Sequence, residues 1–327
     1  MISSAKNILI IRLSSLGDVL LTTPIVRSIK KVNPNCSIDF IVQNEFSDVY
    51  KFNPNINSLF KYDKKSRTLS DSKLFDITKY DLVIDLQNNK RSKEIIKNYD
   101  GKIYRFKKSS FKKFLLVKTK INLMKDLPQI PVRYISEIEN FSLDNDGLEI
   151  YGSDLTRITN KSEKSLIGLC PGSKHFTKMW PIEYYIKLAD LLINKGYQVA
   201  VIGSAADKDK TELLLNNKSL SNYTTDIDLL ATAERLAECS LVVCNDSGLM
   251  HLAGAVQTPL IAIFGSTVKE FGFTPYKSKN LVLENNSLTC RPCSHIGKSA
   301  CPKKHFKCMR EIKPEFVMTK IDEMLND

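Results

Sequence analysis

A chain of 327 residues, 43% hydrophobic and 26% charged, has room for two domains with separate cores, and its composition is neither disordered nor fibrous. No apolar run approaches the ~20 residues of a membrane span, and the first strand-like run is too short for a signal-peptide core. With neither a span nor a signal core a cytoplasmic protein is expected, and eight cysteines in a chain this long do not describe a secreted disulfide scaffold. The formal net charge is +12, and between residues 90 and 125 there are 13 lysines and arginines against two acids, Glu94 and Asp100. A basic surface of this kind attracts phosphate, on nucleic acid, anionic lipid or a phosphorylated substrate. It also arises as the solvated face of a lysine-rich protein.

In chain order, the first half opens with a predicted strand over 8–13, a loop over 14–18 and a helix over 19–31, closed by Pro34. Residues 37–42 and 81–86 read as short buried strands, rich in Ile, Val and Leu. Between 111 and 125, Phe114, Val117, Ile121 and Met124 recur at helical spacing with lysines around them. Such a helix either lies on an anionic membrane surface or packs its apolar side on its own domain. The polar stretch 143–163, with Asn145-Asp146-Gly147 as a turn signal, marks the domain boundary at about 155/156.

The second half restarts with a strand over 165–170 and a helix over 181–194, with Pro181 at its first position and Gly196 beyond its end. A strand over 198–202, helices over 207–216 and 229–239, a strand over 241–244, a helix over 247–255 and a strand over 260–264 follow. The final helix, about 314–327, is expected to pack back on the first domain. Strands alternating with helices predict parallel sheets, hence an α/β protein of two Rossmann-like domains facing each other across a cleft. Ligands of such sheets bind at the carboxyl ends of the strands, which directs attention to the loops there.

Three loops stand out. In Ser14-Ser15-Leu16-Gly17-Asp18, a carboxylate on a glycine-containing turn is placed to take a proton from a substrate; Asp18 also suits a helix cap. The loop lacks the G-x-G-x-x-G pattern of nicotinamide and flavin sites. The segment from Pro171 to Pro181 joins a turn, Ser173, His175 and Lys178 ahead of a helix N-terminus, a setting for phosphate. Asn245-Asp246-Ser247-Gly248-Leu249-Met250-His251 lies between a buried strand and a helix. Asp246 fits the N-cap, Ser247 offers a hydroxyl, and Gly248 admits a ligand close to the backbone.

Together these loops resemble glycosyltransferase family 9, the ADP-heptose:lipopolysaccharide heptosyltransferases. The likeness rests on Arg12-Leu13-Ser14-Ser15-Leu16-Gly17-Asp18-Val19-Leu20, on Pro171-Gly172 followed by Lys178-Met179-Trp180-Pro181, and on Asp246-Ser247-Gly248-Leu249-Met250-His251-Leu252-Ala253. Val132-Arg133-Tyr134 and Gly203-Ser204 are weaker matches. The resemblance implies a GT-B fold and inverting transfer of heptose from ADP-L-glycero-D-manno-heptose to Kdo–lipid A or heptosyl-Kdo–lipid A, without cofactor or metal. It implies Asp18 as general base and Lys178 as the group that stabilises the departing diphosphate. Ser173, Lys178, Asp207, Asp246, Ser247, Gly248, Leu249 and His251 are the implied donor site, with Glu212 a rival to Asp207 as the ribose-binding acid. Ser15, Gly17, Lys64, Arg67, Lys90 and Arg91 are expected to face an anionic, lipid-linked acceptor, with Lys65 beside them. That acceptor implies peripheral placement on the cytoplasmic face of the inner membrane, and no nucleic-acid partner. Met179 departs from the His of some relatives.

Cys290, Cys293, Cys301 and Cys308 form a C-x2-C-x7-C-x6-C cluster with His295 and His305 nearby, open to a zinc site, a disulfide or reduced thiols. Cys36, Cys170, Cys239 and Cys244 read as buried thiols. Two rival functions remain: a family relative with another nucleotide sugar or a later core or capsule acceptor, and, more remotely, a basic nucleic-acid-binding protein whose cysteines hold a metal. The second lacks any RNP, KH or zinc-finger pattern.

Overall fold

The computed structural model describes residues 2–70, 72–162, 165–204, 207–224 and 228–326. Residue 163 of the expected boundary and residue 327 of the expected last helix lie outside them. The chain divides into two units: 1–108 with 128–157, and 109–127 with 158–327.

The first unit holds five parallel strands, β1 (Asn7–Ile11), β2 (Ser37–Gln43), β3 (Ser58–Tyr62), β4 (Leu82–Asp85) and β5 (Lys102–Arg105). Their order is β3-β2-β1-β4-β5. The central strands are nearly continuous buried runs of Ile, Leu and Val, as a sheet covered on both faces requires. Helices α1 (Leu16–Leu20), α2 (Thr23–Val32) and α3 (Lys90–Ile95) follow strands of this sheet. The helix expected over 19–31 is thus two. Pro24, which lacks an amide hydrogen, occupies the first turn of α2 and so restarts the helix. Helix α1 begins at Leu16 with Ser15 as its N-cap, which places Asp18 inside the first turn.

Helix α4 (Ser110–Thr119) is shorter than the 111–125 expected, ending where Lys120 turns left-handed at φ 66°. Of the expected stripe, Met124 is buried and Val117 packs beside it, but Phe114 and Ile121 are exposed, and Leu116, which the stripe did not include, packs with Met124 against Phe271. That packing assigns 109–127 to the second unit, not the first. Helix α5 (Ile130–Tyr134) returns to the first unit.

The second unit contains β6 (Leu166–Cys170), α6 (Ile182–Asn194), β7 (Gln198–Ile202), α7 (Lys208–Leu215), β8 (Ser221–Tyr223), α8 (Leu229–Ala237), β9 (Leu241–Asn245), α9 (Gly248–Ala255), β10 (Leu260–Phe264), β11 (Asn280–Glu284), α10 (Lys307–Arg310) and α11 (Pro314–Asn326). Its six parallel strands run β11-β10-β9-β6-β7-β8. Helix α11 does not belong to the first domain as expected. Val317, Met318 and Ile321 join Trp180, Tyr185 and Leu188 in the core of the second unit.

Both sheets have the Rossmann arrangement, in which the order reverses between the first and fourth strands. In the first the reversal lies between β1 and β4, in the second between β6 and β9. At such a point the two flanking crossovers leave in opposite directions and open a crevice beyond the strand ends. The four strands that the sequence did not predict, β3, β5, β8 and β11, are the four edges.

Candidate functional site

In the first unit, the loops after β1 and β4 meet at the reversal. Arg12 sits at the mouth of β1 and is almost fully buried. Its guanidinium donates to Ser14 O at 3.0 Å and to Leu86 O at 2.7 Å, and so ties the two loops together. Its remaining nitrogen, Nη2, lies 2.6 Å from Asp18 Oδ1. Gln87 Oε1 accepts from the amides of Leu13 and Ser14, fixing the loop from the other side.

The Asp18 carboxylate is therefore held on both oxygens. Tyr134 Oη donates to Oδ1 at 3.2 Å, and the Ser15 amide and hydroxyl donate to Oδ2 at 3.2 and 3.0 Å. The reach from Asp18, the third helical residue, back to the amide of the Ser15 N-cap belongs to a capping box, so the carboxylate at the sheet mouth also helps to start α1. Burial works against the Arg12 charge, yet Asp18, together with Tyr134 and Asp85, outweighs it and raises the guanidinium above its usual range. Burial likewise pushes the Tyr134 hydroxyl well up, which keeps it a proton donor to Asp18. Nearby, Lys108 donates to Asn88 O at 3.0 Å. Burial and then the Arg12 charge hold its ammonium below the ordinary lysine range.

Among the residues expected to meet the acceptor, Ser15 and Gly17 belong to this Asp18 turn. Lys64 and Arg67 lie on an exposed turn after β3, where Asp63 Oδ1 accepts from the Lys65 and Ser66 amides. Lys90 opens α3 behind the Asn89 cap, and Arg91 follows it. Arg67 and Arg91 line one cavity of about 220 Å³ with Tyr62, Leu69, Phe75, Glu94 and Ile95. Lys64 and Lys90 are not among its lining residues.

In the second unit the loops after β6 and β9 meet at the other reversal. Lys178 Nζ lies 2.8 Å from Asp246 Oδ2, and Thr267 Oγ1 donates to the same oxygen at 2.6 Å. Asp246 is therefore not the helix cap that the sequence led us to expect. Ser247 is the N-cap of α9, in an extended conformation. The Ser247 hydroxyl is buried without a hydrogen-bond partner, beside the first amides of α9. Gly248 and Leu249 open that helix half-buried, and His251 is buried one turn in.

The Pro171-Gly172 turn is fixed by Asn245, whose amide donates to Pro171 O at 2.8 Å while its oxygen accepts from the Trp180 amide at 2.9 Å. Ser173 is buried in the same turn. Asp207, the N-cap position of α7, accepts from the Ser204 amide and hydroxyl at 3.2 and 2.9 Å. Its carboxyl group lies so close to Gly172 that a Cβ there would sit 2.5 Å from it. Glu212 is exposed on α7. Of the two acids weighed for the ribose, Asp207 is the one at the strand ends.

Much of what holds this second constellation went unread in the sequence. Thr177 exchanges hydrogen bonds with the Lys298 backbone, 3.1 Å from its amide and 2.8 Å to its hydroxyl. Arg291 donates to Gly265 O and Thr267 O at 2.7 and 2.8 Å and pairs with Glu284 at 2.8 Å. The Cys293 amide donates to Ser266 O at 3.2 Å. The cysteine-bearing segment thus braces the loops that carry Lys178 and Thr267. Its four thiols are unpaired. Among the described residues, no three His, Cys, Asp or Glu side chains are placed to hold a metal. The other four cysteines are buried, as expected.

A family model described as glycosyltransferase family 9 (heptosyltransferase) matches residues 73–304. The chain is 26% identical to lipooligosaccharide heptosyltransferase 2 of Haemophilus influenzae, over 98% of its own length and 99% of that protein's. Among solved structures, it is similar to a family 9 glycosyltransferase from Veillonella parvula, with TM-score 0.75 and 23% identity over 98% of this chain and 97% of that one. It is also similar to the Escherichia coli structure titled ADP-heptose lps heptosyltransferase II, with TM-score 0.70 and 22% identity over 98% of each chain. The fold is GT-B, with two Rossmann-like domains.

Proposed function

The chain belongs to glycosyltransferase family 9 (heptosyltransferase) and is a glycosyltransferase; from that premise we propose that it transfers heptose, with inversion, from ADP-L-glycero-D-manno-heptose to Kdo–lipid A or heptosyl-Kdo–lipid A. The observation that carries the proposal is the Asp18 carboxylate at the reversal of the first sheet, held by Arg12, Tyr134 and Ser15. A base must be aimed before substrate arrives, and a carboxylate gripped on both oxygens cannot wander.

In the proposed reaction an acceptor hydroxyl takes the place of Ser15 Oγ at Asp18 Oδ2 and gives up its proton there. Its oxygen then forms the new bond to the anomeric carbon as the bond from that carbon to the diphosphate oxygen breaks. The electron pair leaves with ADP, so the site must stabilise a diphosphate that gains charge. Lys178 and the N-terminal amides of α9, with Ser247, Gly248 and Leu249, supply preorganised positive potential for it. Asp246 and Thr267 hold Lys178 in position when no diphosphate is bound. Asp207 is the acid that receives the ribose, and Ser173 and His251 shape the donor site. Arg67 and Arg91 take acceptor phosphate or carboxylate groups, with Lys64 and Lys90 adding field from the solvent side. A lipid-linked acceptor places the enzyme peripherally on the cytoplasmic face of the inner membrane. Among the described residues no helix is long and apolar enough to cross a membrane.

The test is a transfer assay with ADP-heptose and Kdo–lipid A read by mass spectrometry, beside Asp18→Asn. A heptose-sized mass gain that the variant loses supports donor, acceptor and base together. ADP binding without transfer would redirect the search to another nucleotide sugar or a later acceptor. Neither binding nor transfer would refute the reading.

A further inference from the structure

We propose that one face of α4, with the turn that follows it, docks on the surface of an anionic lipid bilayer. Phe111 is 70% exposed and Phe114 is 56% exposed. Lying three residues apart, they share a face of the helix, and Leu115 and Lys118, four residues further from each, extend it. The opposite side is the one that packs: Leu116 is buried against Phe271. Beyond the left-handed turn at Lys120, Ile121 and Leu123 are 53% and 51% exposed. Four large apolar side chains thus stand in water within 13 residues, which a soluble surface avoids unless it has a partner.

Charge identifies the partner. From 110 to 125 there are five lysines and no acidic residue. Lys118 and Lys125 are exposed beside the apolar side chains. Lys120 is not available, since it is spent on Cys290 O and Pro292 O and fastens the turn to its own unit. Aromatic and aliphatic side chains flanked by lysines suit the headgroup boundary of a bilayer, where rings enter the acyl region and ammonium groups stay with the phosphates. A nucleic acid would not require the exposed phenylalanines and isoleucine, and a hydrophobic protein partner would not require the lysines. The inference rests on the peripheral placement proposed above and gives it a surface.

The experiment is flotation of the full chain with phosphatidylcholine vesicles, with and without phosphatidylglycerol, alongside a transfer assay on a deacylated, water-soluble acceptor. The wild-type protein should float with the anionic vesicles at low salt, and much less with neutral ones or at high salt. Phe111→Ser with Phe114→Ser should lower the bound fraction about tenfold, and Lys118→Gln should weaken binding only to anionic vesicles. Both changes lie on exposed residues, so melting temperature and transfer to the soluble acceptor should be unchanged. Equal flotation of wild type and the double variant would overturn the proposal. So would a wild-type dimer that the double variant converts to monomer without any vesicle binding, which would assign the face to a second copy. Flotation does not depend on turnover, so absence of transfer to any acceptor counts against the enzymatic reading alone.

Discussion

Arg12 Nη2 lies 2.6 Å from Asp18 Oδ1, while the rest of the same guanidinium bonds Ser14 O and Leu86 O. One buried cation therefore both shapes the loop and aims the carboxylate. Asp18→Asn keeps the shape and removes the proposed base. Its kcat should fall by about 10³-fold with donor affinity unchanged, within the usual range for general-base loss. Arg12→Lys keeps the charge but not the fork, so it should lower kcat and also lower the melting temperature. Steady-state kinetics with a donor-binding titration separates the two.

Lys178 and Asp246 make the corresponding pair in the second unit, 2.8 Å apart, with Thr267 on the same carboxylate oxygen. Lys178→Met should cost about 10²-fold or more in kcat if the lysine meets charge that develops on the leaving diphosphate. Thr267→Val should leave the lysine in place but less well held, with a smaller loss. A Lys178→Met enzyme with unchanged kcat would remove the lysine from the mechanism.

Gly172 and Asp207 pack so closely that any side chain at 172 meets the carboxyl group. Gly172→Ala should displace Asp207 and raise the donor KM about tenfold, as should Asp207→Asn, through one lost charge-assisted hydrogen bond. The acceptor KM should not move for either.

Arg67 and Arg91 share a cavity in the first unit. Arg67→Glu or Arg91→Glu should raise the acceptor KM with little change in the donor KM, and added salt should narrow the difference from wild type. Equal effects on both substrates would take these residues out of acceptor recognition.

Arg27 grips Asp144 with two nitrogens, at 2.6 and 2.8 Å, and Glu149 with a third at 2.5 Å. Burial alone would raise the Asp144 carboxyl, but Arg27 and Lys31 outweigh it and hold it far below the usual carboxylate range. A depressed carboxylate contributes its full stability above the unfolded value of about 3.9 and loses it as pH falls towards the folded one. Melting temperature should accordingly be flat from neutral pH to about pH 5 and fall below about pH 4. Asp144→Asn leaves Arg27 paired with Glu149, so it should destabilise the protein by about 2 kcal/mol at neutral pH and flatten the acid limb.

Particular residues show how far the sequence could be read. The central strands were plain, because a strand buried on both faces must be apolar throughout, as Leu82–Asp85 and Leu241–Asn245 nearly are. The edges were not, because a strand with one open side carries polar residues that mimic a loop. Lys102–Arg105 and Ser221–Tyr223 are buried at no position. The loops with Asp18, Lys178 and Asp246 were legible from their place after buried strands and before helices. The contacts they make were not: Tyr134 reaches Asp18 from 116 positions away, and Arg291 reaches a loop 24 positions away.

By itself, then, the sequence determined the two parallel sheets, the loops at their carboxyl ends and the residues that could carry charge there, since all three follow from local pattern and spacing. Tertiary structure alone decided what those charges touch. It turned Asp246 from a helix cap to the partner of Lys178, and it gave the cysteine segment a bracing role. It moved 109–127 and the last helix into the second unit. The physical reason is the same in each case: helical and strand periodicity are set by neighbours a few residues apart, whereas ion pairs, bracing hydrogen bonds and core membership depend on which distant segments the fold brings within a few ångströms.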